Sequence, residues 1–259
     1  MIPKVIHYCW FGRKSLPQSA LKCIDSWKKF FSDYEIKECN EDNFDVNMIS
    51  YTREAYEAKK YAFVSDYARF WILYHHGGIY FDTDVKVIKS FDEIIARGPF
   101  MGREAGAFLK NICDNYHGEG LAVAPGLGLG VNPGHPLYKE FLDIYDNLLF
   151  KNKDGSLNTK TIVSYTSEIL VRHGLSDDNQ HPQNIEGIWI YSSDVFCPVD
   201  HTQGCKLTIT NNTVSIHLYD SSWNEHGLLW GIFRPLKNIL IRTLGIKTIK
   251  YIKMIIKIM

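Results

Sequence analysis

Two hydrophobic periods alternate along this chain. Residues 5–11, Val5-Ile6-His7-Tyr8-Cys9-Trp10-Phe11, form an apolar, β-rich run closed by Gly12, the pattern of a buried strand ending in a loop. In residues 19–31, Ala20, Ile24, Trp27, Phe30 and Phe31 keep helical spacing, and residues 34–39 predict a second strand. Helices follow over 52–60 and 62–76, the second carrying Phe63, Tyr67, Phe70, Trp71 and Tyr74 before Gly77-Gly78 ends it. Strands are then expected at 79–81 and 85–88. Residues 118–134 are rich in Gly and Pro and read as a connection, helices are expected at 136–149 and 161–173, and late strands at 188–191, 207–210 and 215–218. Strands alternating with helices predict an α/β fold with an open sheet flanked by helices, whose ligands lie at the carboxyl ends of the strands. With no internal repeat or low-complexity linker, the expected organisation is one domain over residues 1–233 and a tail over 234–259.

Composition narrows the function classes. The 259 residues are 45% hydrophobic and 22% charged, enough for a full core, and 29 basic and 29 acidic side chains cancel, leaving no overall field to attract nucleic acid. The cancellation hides an asymmetry: residues 234–259 hold seven Lys and Arg and no acid, which leaves 22 basic against 29 acidic residues before them. In that tail apolar residues alternate with basic ones in a helical rhythm too often broken by Lys to span a bilayer, a pattern that suits a membrane surface or the acidic body of the domain. The opening Met1-Ile-Pro-Lys has no basic n-region with a long apolar stretch, so the expected location is cytoplasmic, peripheral on the inner face of the membrane through the tail. Six scattered cysteines without a CxxC pair are expected to be small buried side chains, neither disulfides nor a zinc site.

Asp82-Thr83-Asp84 falls directly after a strand. Two carboxylates on one side of a tight turn suit a hard divalent cation that also holds diphosphate oxygens, although a solvated turn has the same spelling. Ser65-Asp66-Tyr67-Ala68-Arg69 places Asp66 and Arg69 at i and i+3 on the helix leading into that strand, either as a surface ion pair or as a face turned to the acidic turn. Trp10 at a strand end is a core residue or a platform for a base, and His217 a hydrogen-bonded histidine or a metal ligand.

Three segments recur in the order Ile2-Pro3-Lys4-Val5-Ile6-His7-Tyr8-Cys9-Trp10-Phe11-Gly12, Tyr61-Ala62-Phe63-Val64-Ser65-Asp66-Tyr67-Ala68-Arg69 and Gly77-Gly78-Ile79-Tyr80-Phe81-Asp82-Thr83-Asp84-Val85. They resemble glycosyltransferase family 32, the DXD-containing sugar transferases that include bacterial capsular polysaccharide enzymes and the yeast initiating mannosyltransferase. Ile216-His217-Leu218-Tyr219-Asp220-Ser221-Ser222-Trp223 is similar to that family's closing His and Ser-Trp element. The resemblance implies a GT-A type, Rossmann-like mixed sheet and a metal-dependent transfer of a hexose-type sugar, with retention, from a nucleotide sugar (UDP- or GDP-linked) to a glycan acceptor, a lipid-linked one if the basic tail meets a membrane. It implies Mn²⁺ or Mg²⁺ at Asp82, Asp84 and His217, with Asp84 the closer ligand. Trp10, Ser65, Asp66, Arg69, Tyr80, Asp82, Ser221, Ser222 and Trp223 would bind the donor, and Asp66, Asp82 and Asp84 carry the catalytic roles. In relatives a Thr-Gly-Pro element sits in the central helical region, where the nearest counterpart is Thr166-Ser167-Glu168, and residues 126–134 resemble the loop that receives the acceptor. The rival classes are a haloacid-dehalogenase-like phosphatase, with Asp82 as nucleophile, Asp84 as acid and base and Asp177-Asp178 on magnesium, and a sugar-binding module without turnover.

Overall fold

The computed structural model describes residues 1–200 and 206–220. It begins with β1 (Val5–Cys9), α1 (Gln18–Phe30) and β2 (Glu35–Cys39), a strand, helix and parallel strand in which Val5 to Cys9 pair in step with Glu35 to Cys39. The chain continues through α2 (Ser50–Glu57) and α3 (Tyr61–His76) into β3 (Gly78–Tyr80), which lies parallel to β1 on its other side. Gly77 ends α3 at φ 63°, a left-handed conformation that a side chain would resist, and its N–H closes the helix on the Leu73 carbonyl.

Next come β4 (Val85–Val87), α4 (Asp92–Arg97), β5 (Phe100–Phe108), β6 (Leu121–Val123) and β7 (Leu129–Val131). Then follow α5 (Pro136–Tyr145), α6 (Ile162–Arg172), β8 (Gln183–Ile185), β9 (Ile188–Tyr191), α7 (Ser193–Phe196), β10 (Val199–Asp200), β11 (Lys206–Leu207) and β12 (Ser215–His217). The main sheet has eight strands in the order β2-β1-β3-β7-β5-β9-β8, with β6 on β5. It is mixed: β1, β2 and β3 are parallel, β7 runs antiparallel to both β3 and β5, and β9 is parallel to β5. This is the open α/β sheet expected of the sequence.

Strand pleating divides the core. Ile79 and Phe81 join Trp27, Phe31, Phe91, Phe100 and Phe196 under α1, α4 and α7, while Tyr80 faces the opposite way, into the cluster under α2, α3, α5 and α6. The first cluster mixes aliphatic side chains with a run of touching rings, with Phe91 and Phe100 both stacked on Phe196. Short β4 lies apart from the main sheet; Trp27 Nε1 donates to its Val85 carbonyl at 2.7 Å and Val87 N donates to Ser26 Oγ at 2.9 Å, so α1 fixes the strand that follows the Asp82 turn. Antiparallel β12 covers the other edge of β4, with His217 opposite Val85.

Several expectations are corrected. Residues 118–134 hold β6 and the central strand β7. Gly130 read as a loop residue, but the Phe100 ring lies where its Cβ would be, 2.1 Å away, so the strand requires a residue without a side chain there. The nine-residue strand β5 went unforeseen because Arg103, Glu104 and two glycines interrupt its apolar alternation. The run expected to reach residue 11 ends as a strand at Cys9, helix 136–149 ends at Tyr145, and strand 207–210 is reduced to Lys206–Leu207. Cys9, Cys23, Cys39, Cys113 and Cys197 are free and buried, as expected. Among the described residues no helix is long and apolar enough to cross a membrane. The basic tail and the expected helix in it lie outside the described residues, as does Cys205.

Trp27 has no exposed surface and carries a hydrogen bond to β4. Replacement Trp27→Ala is expected to lower stability by about 3–5 kcal/mol, and Trp27→Phe by about 1–3 kcal/mol through the orphaned Val85 carbonyl, read as the urea midpoint of unfolding.

Candidate active site

A cavity of about 410 Å³ opens at the carboxyl ends of β1 and β3, lined among others by Trp10, Ser65, Asp66, Arg69, Tyr80, Asp82, Asp84 and His217. Its floor is a charge relay anchored on α3. Arg69, 4% exposed, holds Asp66 Oδ1 through Nη2 at 3.0 Å, Asp82 Oδ1 through Nη1 at 3.3 Å, and the Ser65 carbonyl through Nε at 3.1 Å. Its guanidinium lies 4.9 Å from the centre of the Tyr80 ring, and the Tyr80 hydroxyl donates to the same Asp82 oxygen at 3.0 Å. The i, i+3 spacing is thus a buried pair and no solvated surface bridge. Ser65 itself donates its hydroxyl to the Tyr61 carbonyl.

The turn after β3 is equally constrained. Asp82 N–H donates to the Gly126 carbonyl at 3.1 Å, and Val85 N–H donates back to the Asp82 carbonyl at 3.0 Å. A Cβ at Gly126 would stand 2.0 Å from Asp82 Oδ2, so any side chain there would push this carboxylate out of its present place. Asp84 lies deeper than Asp82. Its Oδ2 accepts the Asp220 N–H at 2.9 Å, its carbonyl accepts the Leu218 N–H at 3.0 Å, and its Oδ1 stands 3.1 Å from His217 Nε2. The same nitrogen is 4.0 Å from Asp82 Oδ2. Ligand atoms of Asp82, Asp84 and His217 therefore lie within 4.8 Å of one another, the only such trio among the described residues.

Electrostatics follow from burial and neighbours. Burial works to raise the Asp84 carboxyl, but His217 and the Asp220 amide outweigh it and hold the group below the usual carboxylate range. Burial works to lower His217, and Asp84, Asp82 and Glu104 overcome it, so the imidazole is pushed up towards its cationic form. Asp66 behaves oppositely. Burial, with some help from Asp82, pushes its carboxyl up to about 7 against the pull of Arg69 and of the Ile162 amide at the start of α6.

Trp10 follows β1 directly and lines the same cavity, with its indole N–H bonded to the Lys14 carbonyl. Ser221, Ser222 and Trp223 lie outside the described residues. Thr166 and Ser167 are buried away from the cavity, Ser167 Oγ accepting the Val123 N–H; Thr161, Ile162 and Val163 form the wall in their place, five residues earlier in the chain. The Thr161 hydroxyl caps α6, a Thr-x-x-Ser signal that could have located this wall. Glu104 and Tyr219 also line the cavity and were missed: Glu104 sits on the unforeseen β5, and Tyr219 is an aromatic residue in a segment read only for His and Ser-Trp. Asp177, which the phosphatase reading needs beside Asp82, instead accepts the Glu119 and Gly120 amides, and neither it nor Asp178 lines the cavity.

Paired acids at the carboxyl end of a parallel βα unit, joined by an imidazole from antiparallel β12, form a donor set that could hold a metal ion. Residues 17–101 match the family model described as the glycosyltransferase sugar-binding region containing DXD motif. An uncharacterized glycosyltransferase of Acanthamoeba polyphaga mimivirus is 28% identical over 248 residues, 90% of this chain and 88% of that protein. Inositol phosphoceramide mannosyltransferase 1 of Schizosaccharomyces pombe is 26% identical over 111 residues, 39% of this chain and 33% of that protein. Among solved structures, the PaToxG glycosyltransferase matches at TM-score 0.45 with 19% identity, covering 66% of this chain and 69% of that one. The chain is a glycosyltransferase with a DXD sugar-binding region, in agreement with the family 32 resemblance.

A carboxyl raised in the folded state contributes stability that is complete below about pH 4 and is lost as pH rises through about 7. Wild type is therefore expected to lose stability relative to Asp66→Asn between those limits, with a slope of at most about 1.4 kcal/mol per pH unit. Urea titrations of both proteins from pH 4 to pH 8 measure this difference.

Proposed function

We propose that this glycosyltransferase moves a hexose-type sugar, with retention, from a UDP- or GDP-sugar to a glycan acceptor, using Mn²⁺ or Mg²⁺ held by Asp82, Asp84 and His217. The observation that carries the reading is the convergence of those three side chains beside the Arg69 relay in one cavity. The donor set fits such a cation: two carboxylate oxygens suit Mg²⁺ or Mn²⁺, and the added imidazole favours Mn²⁺. The two acids hold His217 towards its protonated form, and its Nε2 would give up that proton to ligate the ion. When bound, the ion would neutralise charge on the departing diphosphate.

The protein groups would act around that event. Trp10 offers a flat platform for the base beside Phe11 and Tyr61. Arg69, fixed between Asp66 and Asp82, orients both carboxylates towards donor hydroxyls, and Asp66 is placed at the N-terminus of α6 where a sugar hydroxyl can share its charge. In a front-face path the acceptor hydroxyl approaches on the side the diphosphate leaves, and the leaving phosphate oxygen takes its proton, so no side chain need serve as base. The loop carrying Gly126 and Leu127 and the wall at Thr161 to Val163 bound the side from which an acceptor would enter. Ser221, Ser222 and Trp223 would close over the diphosphate, as the resemblance implies.

The partial likeness to a mannosyltransferase keeps mannose among the hexoses, and the family resemblance favours capsular or other surface polysaccharide synthesis. The tail composition supports a lipid-linked acceptor met at the inner membrane face, because each basic residue near an anionic surface contributes about 1 kcal/mol. A chain ending at Arg234 is expected to lose sedimentation with anionic liposomes, and unchanged sedimentation would end the membrane reading.

Without acceptor, the enzyme is expected to hydrolyse at least one UDP- or GDP-sugar slowly with Mn²⁺, to stop with EDTA, and to fall on the order of 100-fold or more in Asp84→Asn. A rate indifferent to EDTA would overturn the metal assignment, and an inverted anomer in proton NMR of the transfer product would overturn retention.

A further inference from the structure

His217 has an unusual support. A metal-ligating histidine generally fixes its ring by donating the second ring N–H to a carboxylate or carbonyl. Here Nε2 faces the two acids, while Nδ1 is buried and no hydrogen-bond partner meets it among the described residues. The ring is oriented by packing instead: Tyr219 meets it edge to face, with centroids 4.2 Å apart and planes at 85°.

Tyr219 is itself held in an unusual way. Its backbone adopts φ 51°, a left-handed conformation rare for a bulky side chain and found where surrounding contacts over-determine the chain. Those contacts are present. The hydroxyl donates to Glu104 Oε1 at 2.9 Å, the Cys197 thiol sulfur lies 2.9 Å from the tyrosine's own hydroxyl oxygen, and the neighbouring Leu218 and Asp220 amides are both bound to Asp84. A strained residue tethered through its far end, with its ring against the histidine, carries the orientation that a hydrogen bond at Nδ1 would otherwise supply.

We propose that Tyr219, anchored by Glu104 on β5, is the positioning residue that aims His217 at Asp82 and Asp84 for a divalent cation. This rests on the metal reading above. It ties β5, which no sequence pattern connected with the site, to the C-terminal strand that delivers the imidazole. Tyr219 touches neither the cation nor the donor in this role; it acts only through the ring it packs against.

The test is Mn²⁺ binding to the full chain without nucleotide sugar, followed by the loss of the free-ion electron paramagnetic resonance signal. Tyr219→Phe keeps the ring and removes the tether, and is expected to raise the Mn²⁺ Kd about 10-fold; Tyr219→Leu, which also removes the ring, is expected to approach 100-fold. Glu104→Gln retains an acceptor for the hydroxyl and should stay within about threefold of wild type, whereas Glu104→Ala should match Tyr219→Phe. In a His217→Ala background the Tyr219→Phe change should have no further effect, a non-additivity that general loosening of the fold would not give. Wild-type affinity in Tyr219→Phe, or an equal loss with and without His217, overturns the proposal while leaving the metal site standing. Should a Tyr219 variant unfold by circular dichroism, equal affinity of Glu104→Ala and wild type would overturn it in the same way. A wild-type chain that binds no Mn²⁺ removes the metal reading and this inference together.

Discussion

One buried guanidinium holds the cavity together. Arg69 lies between Asp66 and Asp82 with little exposed surface, and its charge is matched on both sides by carboxylates and beneath by the Tyr80 ring. A charge in such a place is tolerated only when it is paired and hydrogen-bonded, and here every paired group also belongs to the wall of the cavity. The arrangement is therefore weak evidence for stability and better evidence for specificity. It fixes the direction of two carboxylates on different elements, one on α3 and one after β3, at the point where parallel strands end. Removing the guanidinium would leave two acids facing one another at low dielectric, and the turn at Asp82 would have no reason to keep its geometry.

The site is drawn from distant parts of the chain. The N-terminal half supplies Trp10, Asp66, Arg69, Tyr80 and the Asp82 turn from two adjacent parallel strands and one helix, a compact βα arrangement with short connections. The imidazole arrives from β12, three residues long, and its placement depends on the antiparallel register that sets His217 opposite Val85. A slip of one residue would turn His217 to the other face of this small ribbon. The register is secured twice over, by the Leu218 amide on the Asp84 carbonyl and by the Asp220 amide on its carboxylate. Asp84 thus anchors the strand that completes the site and also faces the imidazole within it.

Legibility in the sequence followed the range of the interactions. Periodicity found α1, α3, α6 and the parallel strands because burial of one face repeats locally, and three short segments were enough to mark the sugar-transferase resemblance. The pairing of Asp66 with Arg69 was readable from spacing, but its burial was not, since burial depends on α6 closing over it. Strand β7 escaped because its glycines suggested a connection; Gly130 is there to admit the Phe100 ring, a contact made across strands. Glu104 escaped for the complementary reason: a charged residue inside a glycine-interrupted run breaks the alternation by which a strand is recognised. The helix start at 161 was read correctly, but the cavity wall was displaced by five residues because a Thr-Gly-Pro element was sought by family spelling, when the capping threonine was the physical signal.

These misses share a cause that bears on the chemistry. Groups that bind a charged ligand must be desolvated yet unsatisfied by the local backbone, so they sit where local rules are broken, on a strand with a buried-facing acid or in a left-handed tyrosine. Tyr219 and Glu104, which support the His217 ring, also sit where local rules are broken, and neither stabilises its own element in any evident way. Their bond joins β5 of the main sheet to the segment after β12, which belongs to a separate two-stranded sheet. Rigid support from the main sheet is thereby extended to the β12 side of the cavity, and the short β12 ribbon can hold its imidazole in place without a core of its own.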